Sequence, residues 1–179
     1  GVEQNDQQAV AWYTKAANKG LADAQNKLGV IYEEGRGVAQ DAKKAFEWFQ
    51  KAADQGNAKA VAWFQKAAKQ GHATAQNNLG EMYYYGRGVE QNDQKAVVWY
   101  RKAAVQGNAR AQNNLGGMYA NGCGVEQSDQ KAVAWFQKAA NQGDDAYAQY
   151  NLGWMYEEGR GVAQDDKKAF EWYQKAAKW

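Results

Sequence analysis

His72, Cys123 and Ser128 are the only histidine, cysteine and serine in this 179-residue chain. Covalent catalysis needs a nucleophile within hydrogen-bond reach of a base, and a third group to orient that base. The one thiol–imidazole pairing on offer, Cys123 with His72, spans two separate sequence copies and has no orienting group in view. Ser128 reads as a helix N-cap. His72 reads as a turn residue, because Asn57 and Asn108 hold the same place in other copies. Glu33-Glu34 and Glu157-Glu158 lack a histidine at ligand spacing, so they read as solvated helix ends rather than a metal site. The Gly-x-Gly-Val segments lack the strand and third glycine of a dinucleotide cradle. No catalytic residue, cofactor or metal is expected, and the chain reads as a non-enzyme.

The bulk composition points the same way. The chain is 45% hydrophobic and 13% aromatic, which is too apolar for a disordered segment. Mean hydropathy is −0.87, as expected of a thin structure with much surface. Net charge is +2, with Lys and Glu interspersed, so neither nucleic acid nor an anionic membrane is expected as partner. One cysteine excludes an intramolecular disulfide. No run approaches the roughly 20 apolar residues of a membrane helix. The sequence opens on Gly1-Val2, partway through a repeat and without a signal-like segment. It reads as a fragment, a mature form or an engineered chain, and either bacterial periplasm or cytoplasm would suit it.

The residues are carried by a repeated unit. His72–Gly107 and Asn108–Gly143 are each 36 residues long and match position for position. Gly-Val pairs recur at Gly1, Gly37, Gly88, Gly124 and Gly161, at intervals of 36, 51, 36 and 37. A fixed period of this length implies stacked helical units. Each unit holds two helices, A then B. In B, the residues Ala132, Trp135, Phe136, Ala139 and Ala140 form one apolar stripe. Ser128, Asn92, Asp41 and Asp165 stand at its N-cap, and Gly20, Gly56, Gly71, Gly107 and Gly143 follow its end. In A, a mid-helix glycine recurs at Gly29, Gly80, Gly116 and Gly153. Each costs roughly 1 kcal/mol against Ala. Close approach of the B-helix Trp or a neighbouring helix is the expected compensation, at roughly 1.5–3 kcal/mol for a buried aromatic. Between the helices, Gly86-Arg87-Gly88-Val89 turns the chain, with Val89 closing the gap.

The pattern A-x-A-Q-x-x-L-G-x-M-Y-x-x-G-x-G-V…K-A-x-x-W-x-x-K-A-A-x-Q-G resembles the Sel-1-like repeat, a relative of the tetratricopeptide repeat. The resemblance covers Gly1 to Lys178. It implies an all-α fold, an α-α solenoid with a right-handed superhelix. About five repeats and roughly ten antiparallel helices are expected. It also implies adaptor or scaffold roles in protein complexes. Some members of the family are linked with penicillin or peptidoglycan recognition. Cysteine-rich relatives staple each repeat with a disulfide, and this chain lacks those cysteines.

One stretch departs from the period. Asn57–Gly71 opens like an A helix and continues like a B helix, so an A helix and its loop are missing. The expected organisation is one array over 1–179. It has a first section at 1–56, an irregular extra helix at 57–71 and regular repeats over 72–179. The extra helix either substitutes poorly for an A helix or leaves a face that a second copy covers, giving a homodimer through 57–71. A second irregularity, Asp144-Asp145, adds one residue in a turn, and one of the two caps the following helix.

Specificity is expected on the outward, concave face of the A helices, where the copies differ most. The candidates are Asn77, Glu81, Tyr84, Tyr85, Asn113, Tyr150, Trp154 and Glu157. Exposed aromatics anchor a peptide and Asn side chains bond its backbone. The B-helix tryptophans are expected in the core, and Cys123 at the surface. The leading expectation is therefore a non-catalytic protein- or peptide-binding scaffold. The alternatives are an engineered or structural array without a dedicated ligand, self-associating or not, and a binder of cell-wall glycan or β-lactam.

Overall fold

The computed structural model describes residues 2–143 and 145–178, with side chains from residue 5 onward. Among them it shows ten α-helices and no strand. They are α1 (Val2–Asn18), α2 (Ala22–Glu34), α3 (Ala42–Asp54), α4 (Ala58–Lys69), α5 (Ala73–Tyr85), α6 (Asp93–Val105), α7 (Ala109–Asn121), α8 (Asp129–Ala140), α9 (Ala146–Glu157) and α10 (Asp166–Ala176). The A helices are α2, α5, α7 and α9. The B helices are α1, α3, α6, α8 and α10. Two compact units result, Gly1–Lys66 with Tyr85–Gln91, and Ala67–Tyr84 with Asn92–Trp179.

The helix ends follow from cap chemistry. The side chains of Asp41, Asn92, Ser128 and Asp165 accept from the backbone N–H of Lys44, Lys95, Lys131 and Lys168. Each bond satisfies one amide that the first helical turn leaves open. Asn108 and Asp145 cap α7 and α9 in the same way. Asp145 is thus the cap of α9, and Asp144 lies outside the described residues. Gly86 and Gly88 reverse the chain after α5 at φ +69° and +67°, values that side chains with a Cβ resist.

Within the second unit, α7 packs on α6 and α8, and α9 packs on α8 and α10. Buried alanines at the contacts, among them Ala103, Ala104, Ala111, Ala139, Ala140 and Ala148, allow the close approach. In the first unit, α2 packs on α1 and α3 around Ala17, Leu28 and Ile31.

The mid-helix glycines are explained by one recurring contact. A Cβ on Gly116 would stand 2.6 Å from Cδ1 of Phe136, and one on Gly80 would stand 2.6 Å from Cδ1 of Tyr100. Phe49 covers Gly29, and Tyr173 covers Gly153. The covering ring therefore belongs to the residue after the B-helix tryptophan: of the two expected alternatives, the neighbouring helix supplies the contact and the tryptophan does not. Trp48, Trp99, Trp135 and Trp172 are only half-buried, and Trp12 is 70% exposed. Each carries the lysine three residues on over its ring, as Lys138 does over Trp135 at 4.3 Å. Each is a cation–π contact between the lysine ammonium and the indole face.

The irregular segment is a single helix, α4, with features of both types. Asn57 caps it through the Ala60 N–H, as Asn108 caps an A helix. The Ala68 carbonyl accepts from Gln76, as the B-helix Ala104 carbonyl accepts from Gln112. Val61 takes the place of the A-helix glutamine and Phe64 that of the A-helix leucine, both buried. Phe46 and Phe49 pack against Trp63. The exposed positions of α4 are Ala58, Lys59, Ala62, Lys66 and Lys69, so its fully exposed side chains include no large apolar one.

Candidate interaction surface

Two amide relays hold successive helices in register. Gln142 Nε2 donates to Gln112 Oε1 at 2.7 Å, and Gln112 Nε2 donates to the Ala104 carbonyl at 3.0 Å. The trios Gln106–Gln76–Ala68 and Gln55–Gln25–Ala17 repeat the arrangement. Each relay ties the end of a B helix to its own A helix and to the helix before that, which is α4 in the trio ending at Ala68. The second relay runs between A helices. Asn114 Nδ2 donates to Asn77 Oδ1 at 3.0 Å, and Asn151 Nδ2 donates to Asn113 Oδ1 at 2.9 Å. Buried amides must find such partners, and here they find them across the repeat boundary.

This second relay withdraws several candidates from solvent. Asn77 is 2% exposed, so it is no docking residue. Glu81 accepts from Asn77 at 2.9 Å and Asn114 at 3.4 Å, and Asn113 accepts from Asn151. Trp154 is half-buried against the core, with the Arg160 guanidinium 4.9 Å from its ring centroid. Tyr84 is half-buried against the same core. Tyr85 is 58% exposed, with the Arg87 guanidinium 4.7 Å from its ring centroid.

Tyr150 and Glu157 remain accessible and come together on α9. Tyr150 is 55% exposed, and its ring lies 5.3 Å from that of Tyr173 on α10. The Tyr173 hydroxyl donates to Glu157 Oε2 at 2.6 Å. Burial, and then the Glu157 carboxylate, push the Tyr173 phenol above its usual range, so it stays a donor. With Ala146, Tyr147, Ala176 and Ala177, these residues line an open hollow of ≈ 770 Å³. Tyr147, at 78% exposed, and Tyr173 were not among the sequence candidates. Tyr147 is legible by comparison of copies, because Thr74 and Arg110 hold its place elsewhere.

The chemistry-bearing residues of the sequence are dispersed. Ser128 caps α8, and His72 is exposed at the start of α5. Among the described residues, no group of three or more His, Cys, Asp or Glu could hold a metal ion. Glu33 accepts from the Trp63 indole, and Glu34 pairs with Arg36. Cys123 is half-buried against the core rather than at the open surface. It occupies the place of Arg160, whose guanidinium bonds both carboxylate oxygens of Asp129 and the Ala120 carbonyl.

A model of the Sel1 repeat matches residues 1–21, 22–57, 58–72, 73–108, 109–144 and 146–178. The chain therefore belongs to the Sel1 repeat family, whose fold is an all-α helical repeat solenoid. The segment 58–72 matches alone and corresponds to α4 with its following turn. A protective antigen of uropathogenic Escherichia coli with an SLR fold is 40% identical over 96% of this chain, with TM-score 0.67. The chain spans 41% of that protein's length. A Sel1 repeat protein of Oxalobacter formigenes is 32% identical over 98% of this chain and 78% of its own, with TM-score 0.66. Helicobacter pylori cysteine rich protein B shares the fold at 24% identity and TM-score 0.53, over 77% of this chain and 90% of that one. A search of curated protein sequences gave no match. Among the described residues, no helix is long and apolar enough to cross a membrane.

Proposed function

We propose that the chain is a non-catalytic scaffold that binds a protein or peptide through exposed side chains of its A helices. The hollow on α9 and α10 is the best-formed part of that surface. The observation that carries this reading is the meeting of Tyr147, Tyr150, Tyr173 and Glu157 around an open space of ≈ 770 Å³. Rigid aromatic side chains give large contact area at low entropic cost, and a carboxylate at the edge supplies orientation. Membership of a family built from helical repeats supports it, as does the dispersal of the few nucleophilic side chains.

A peptide array probed with the full chain tests the reading. Tyr150→Ala and Tyr147→Ala each weaken the selected peptides at least tenfold, with Trp154→Ala and Tyr84→Ala acting less. Binding untouched by all four substitutions contradicts the site. Hydrolysis of a chromogenic β-lactam that survives removal of Cys123 and Ser128 contradicts the non-catalytic reading. Exposed tyrosines also suit a sugar ring, so peptidoglycan fragments belong in the same binding panel.

A homodimer through 57–71 is the second reading. The lysines and two alanines, Ala58 and Ala62, at the exposed positions of α4 offer it little apolar area. Light scattering of the chain and of Ala62→Glu decides it: a dimer that Ala62→Glu dissociates supports it, and a monomer removes it.

A further inference from the structure

Gly117 is a mid-helix glycine that packing does not explain. Aromatic rings of the B helices cover Gly80, Gly116 and Gly153. A Cβ on Gly117 would meet nothing within 4 Å, although the residue is half-buried. The helix forgoes the stability that alanine would add there, and no ring is gained in return. What the glycine leaves is room on the A-helix face of α7.

That room is interior to the array. Asn114 of α7 donates to Asn77 of α5, and Asn151 of α9 donates to Asn113 of α7, so α7 is flanked on both sides. Gly117 stands one turn beyond Asn113 and Asn114, on the same helix face. The residues at its position in the flanking helices are Glu81 and Trp154, both half-buried. A notch with a glycine floor thus stands between a carboxylate on α5 and an indole on α9.

Glu81 sets the charge of the occupant. Its Oε1 accepts from Asn77 Nδ2 at 2.9 Å and from Asn114 Nδ2 at 3.4 Å. Among the described residues no cation pairs with it. Arg160, the cation beside Trp154, is engaged by Asp129. A half-buried carboxylate without a counter-ion is stabilised by any cation that reaches it. The relay occupies Oε1 alone and leaves Oε2. That suits the point charge of a lysine ammonium better than the arginine fork, which needs both oxygens. A lysine stem also packs along apolar surface while its head stays polar, and the glycine floor and the Trp154 ring supply that surface.

Resting on the scaffold reading above, we propose that the notch over Gly117 binds one lysine side chain from an extended segment of a partner protein. Its ammonium lies on Glu81 Oε2 and its stem crosses Gly117 beside Trp154. The same segment continues onto Tyr150, one turn before Trp154 on α9.

The test probes an array of short random peptides with the full chain and measures the selected peptides by fluorescence anisotropy. The selected peptides are expected to share a lysine. Norleucine in its place keeps the stem, removes the charge and weakens binding about tenfold. Glu81→Gln keeps an acceptor for Asn77 and Asn114 and weakens the lysine peptide by about the same factor. The two changes together are expected to cost little more than either alone, because they remove one interaction. Gly117→Leu fills the notch and weakens binding about tenfold or more, while the urea midpoint does not fall. Should Gly117→Leu unfold the chain, Gly117→Ala serves instead, with a loss of about threefold and a raised midpoint. Losses that add in the Glu81→Gln and norleucine pair, or peptides indifferent to both Glu81→Gln and the folded glycine variant, overturn this proposal and leave the scaffold reading intact. An array that yields no binder overturns both. Self-association that Glu81→Gln abolishes puts a second copy in the notch and overturns the assignment to a different protein.

Discussion

Arg160 grips Asp129 with a bidentate ion pair, Nη2 to Oδ1 at 2.6 Å and Nε to Oδ2 at 3.1 Å. The same guanidinium holds the Ala120 carbonyl at the end of the preceding A helix. It therefore pins the last A–B loop to the B helix before it. One repeat earlier, Asp93 stands in the place of Asp129 and Cys123 in the place of Arg160. Asp93 Oδ1 is buried there without a hydrogen-bond partner.

Restoring the missing cation should stabilise the chain. Cys123→Arg is expected to contribute about 1 kcal/mol, a bidentate pair discounted for its partial exposure. Differential scanning calorimetry should show Tm rising by about 2–4 °C. Arg160→Ala should lower it by a similar amount. A Cys123→Arg variant no more stable than the parent would mean that the Asp93 carboxylate is satisfied by solvent.

The ion pair also gives stability a pH signature. The Arg160 guanidinium holds the Asp129 carboxyl below its ordinary value of 3.8. A carboxylate with a depressed folded pKa stabilises fully above the unfolded pKa. That contribution disappears as pH falls through the folded pKa. The Tm gap between parent and Arg160→Ala should therefore be constant above about pH 5 and should shrink below about pH 4. A gap that stays constant down to pH 2 would assign the effect of Arg160 to its Ala120 and Trp154 contacts instead.

Adjacent glycines of α7 should respond in opposite directions to the same substitution. Gly116→Ala drives a Cβ to 2.6 Å from Phe136, a ring only 3% exposed. Overpacking at such a site costs about 1–3 kcal/mol, which outweighs the helix-propensity gain of about 1 kcal/mol. A Cβ on Gly117 meets nothing within 4 Å. Gly117→Ala keeps the propensity gain and should stabilise by about 0.5–1 kcal/mol. Urea unfolding of the two variants reads both signs.

The asparagine relay should matter for stability. Asn114→Ala removes the donor to Asn77, an amide that is 2% exposed, and is expected to cost about 1–3 kcal/mol. Asn151→Ala should cost less, because its acceptor Asn113 is only half-buried. Equal losses in thermal unfolding would mean that burial does not set the strength of the relay.

Local chemistry was readable from the sequence, and contacts between repeats were not. Ser128, Asn92, Asp41 and Asp165 are legible as caps because a cap acts on the amide three residues away. The mid-helix glycines announce close approach, but not the partner. Trp135 and Phe136 share one apolar stripe, and a helical wheel cannot say which of two adjacent rings reaches Gly116. Asn77 looks outward on its own helix, yet Asn114 of the next A helix covers it. Its burial is fixed by how repeats stack, not by helical period. Tyr150 holds the same position on α9, and it is 55% exposed. The α4 helix shows how one sequence serves two patterns, with Phe64 readable both as the A-helix leucine and as the B-helix aromatic.

On the proposed reading, recognition resides on the A-helix side of the repeat built from α9 and α10. Chemical-shift mapping of the ¹⁵N-labelled chain, titrated with its best array-selected peptide, tests it most directly. Perturbations are expected to concentrate in Ala146–Glu157 and Tyr173–Ala177, with the half-buried Trp99 and Trp135 indoles unmoved. Shifts confined to the Trp–Lys rim of the B helices, with Tyr150 and Glu157 silent, would contradict it.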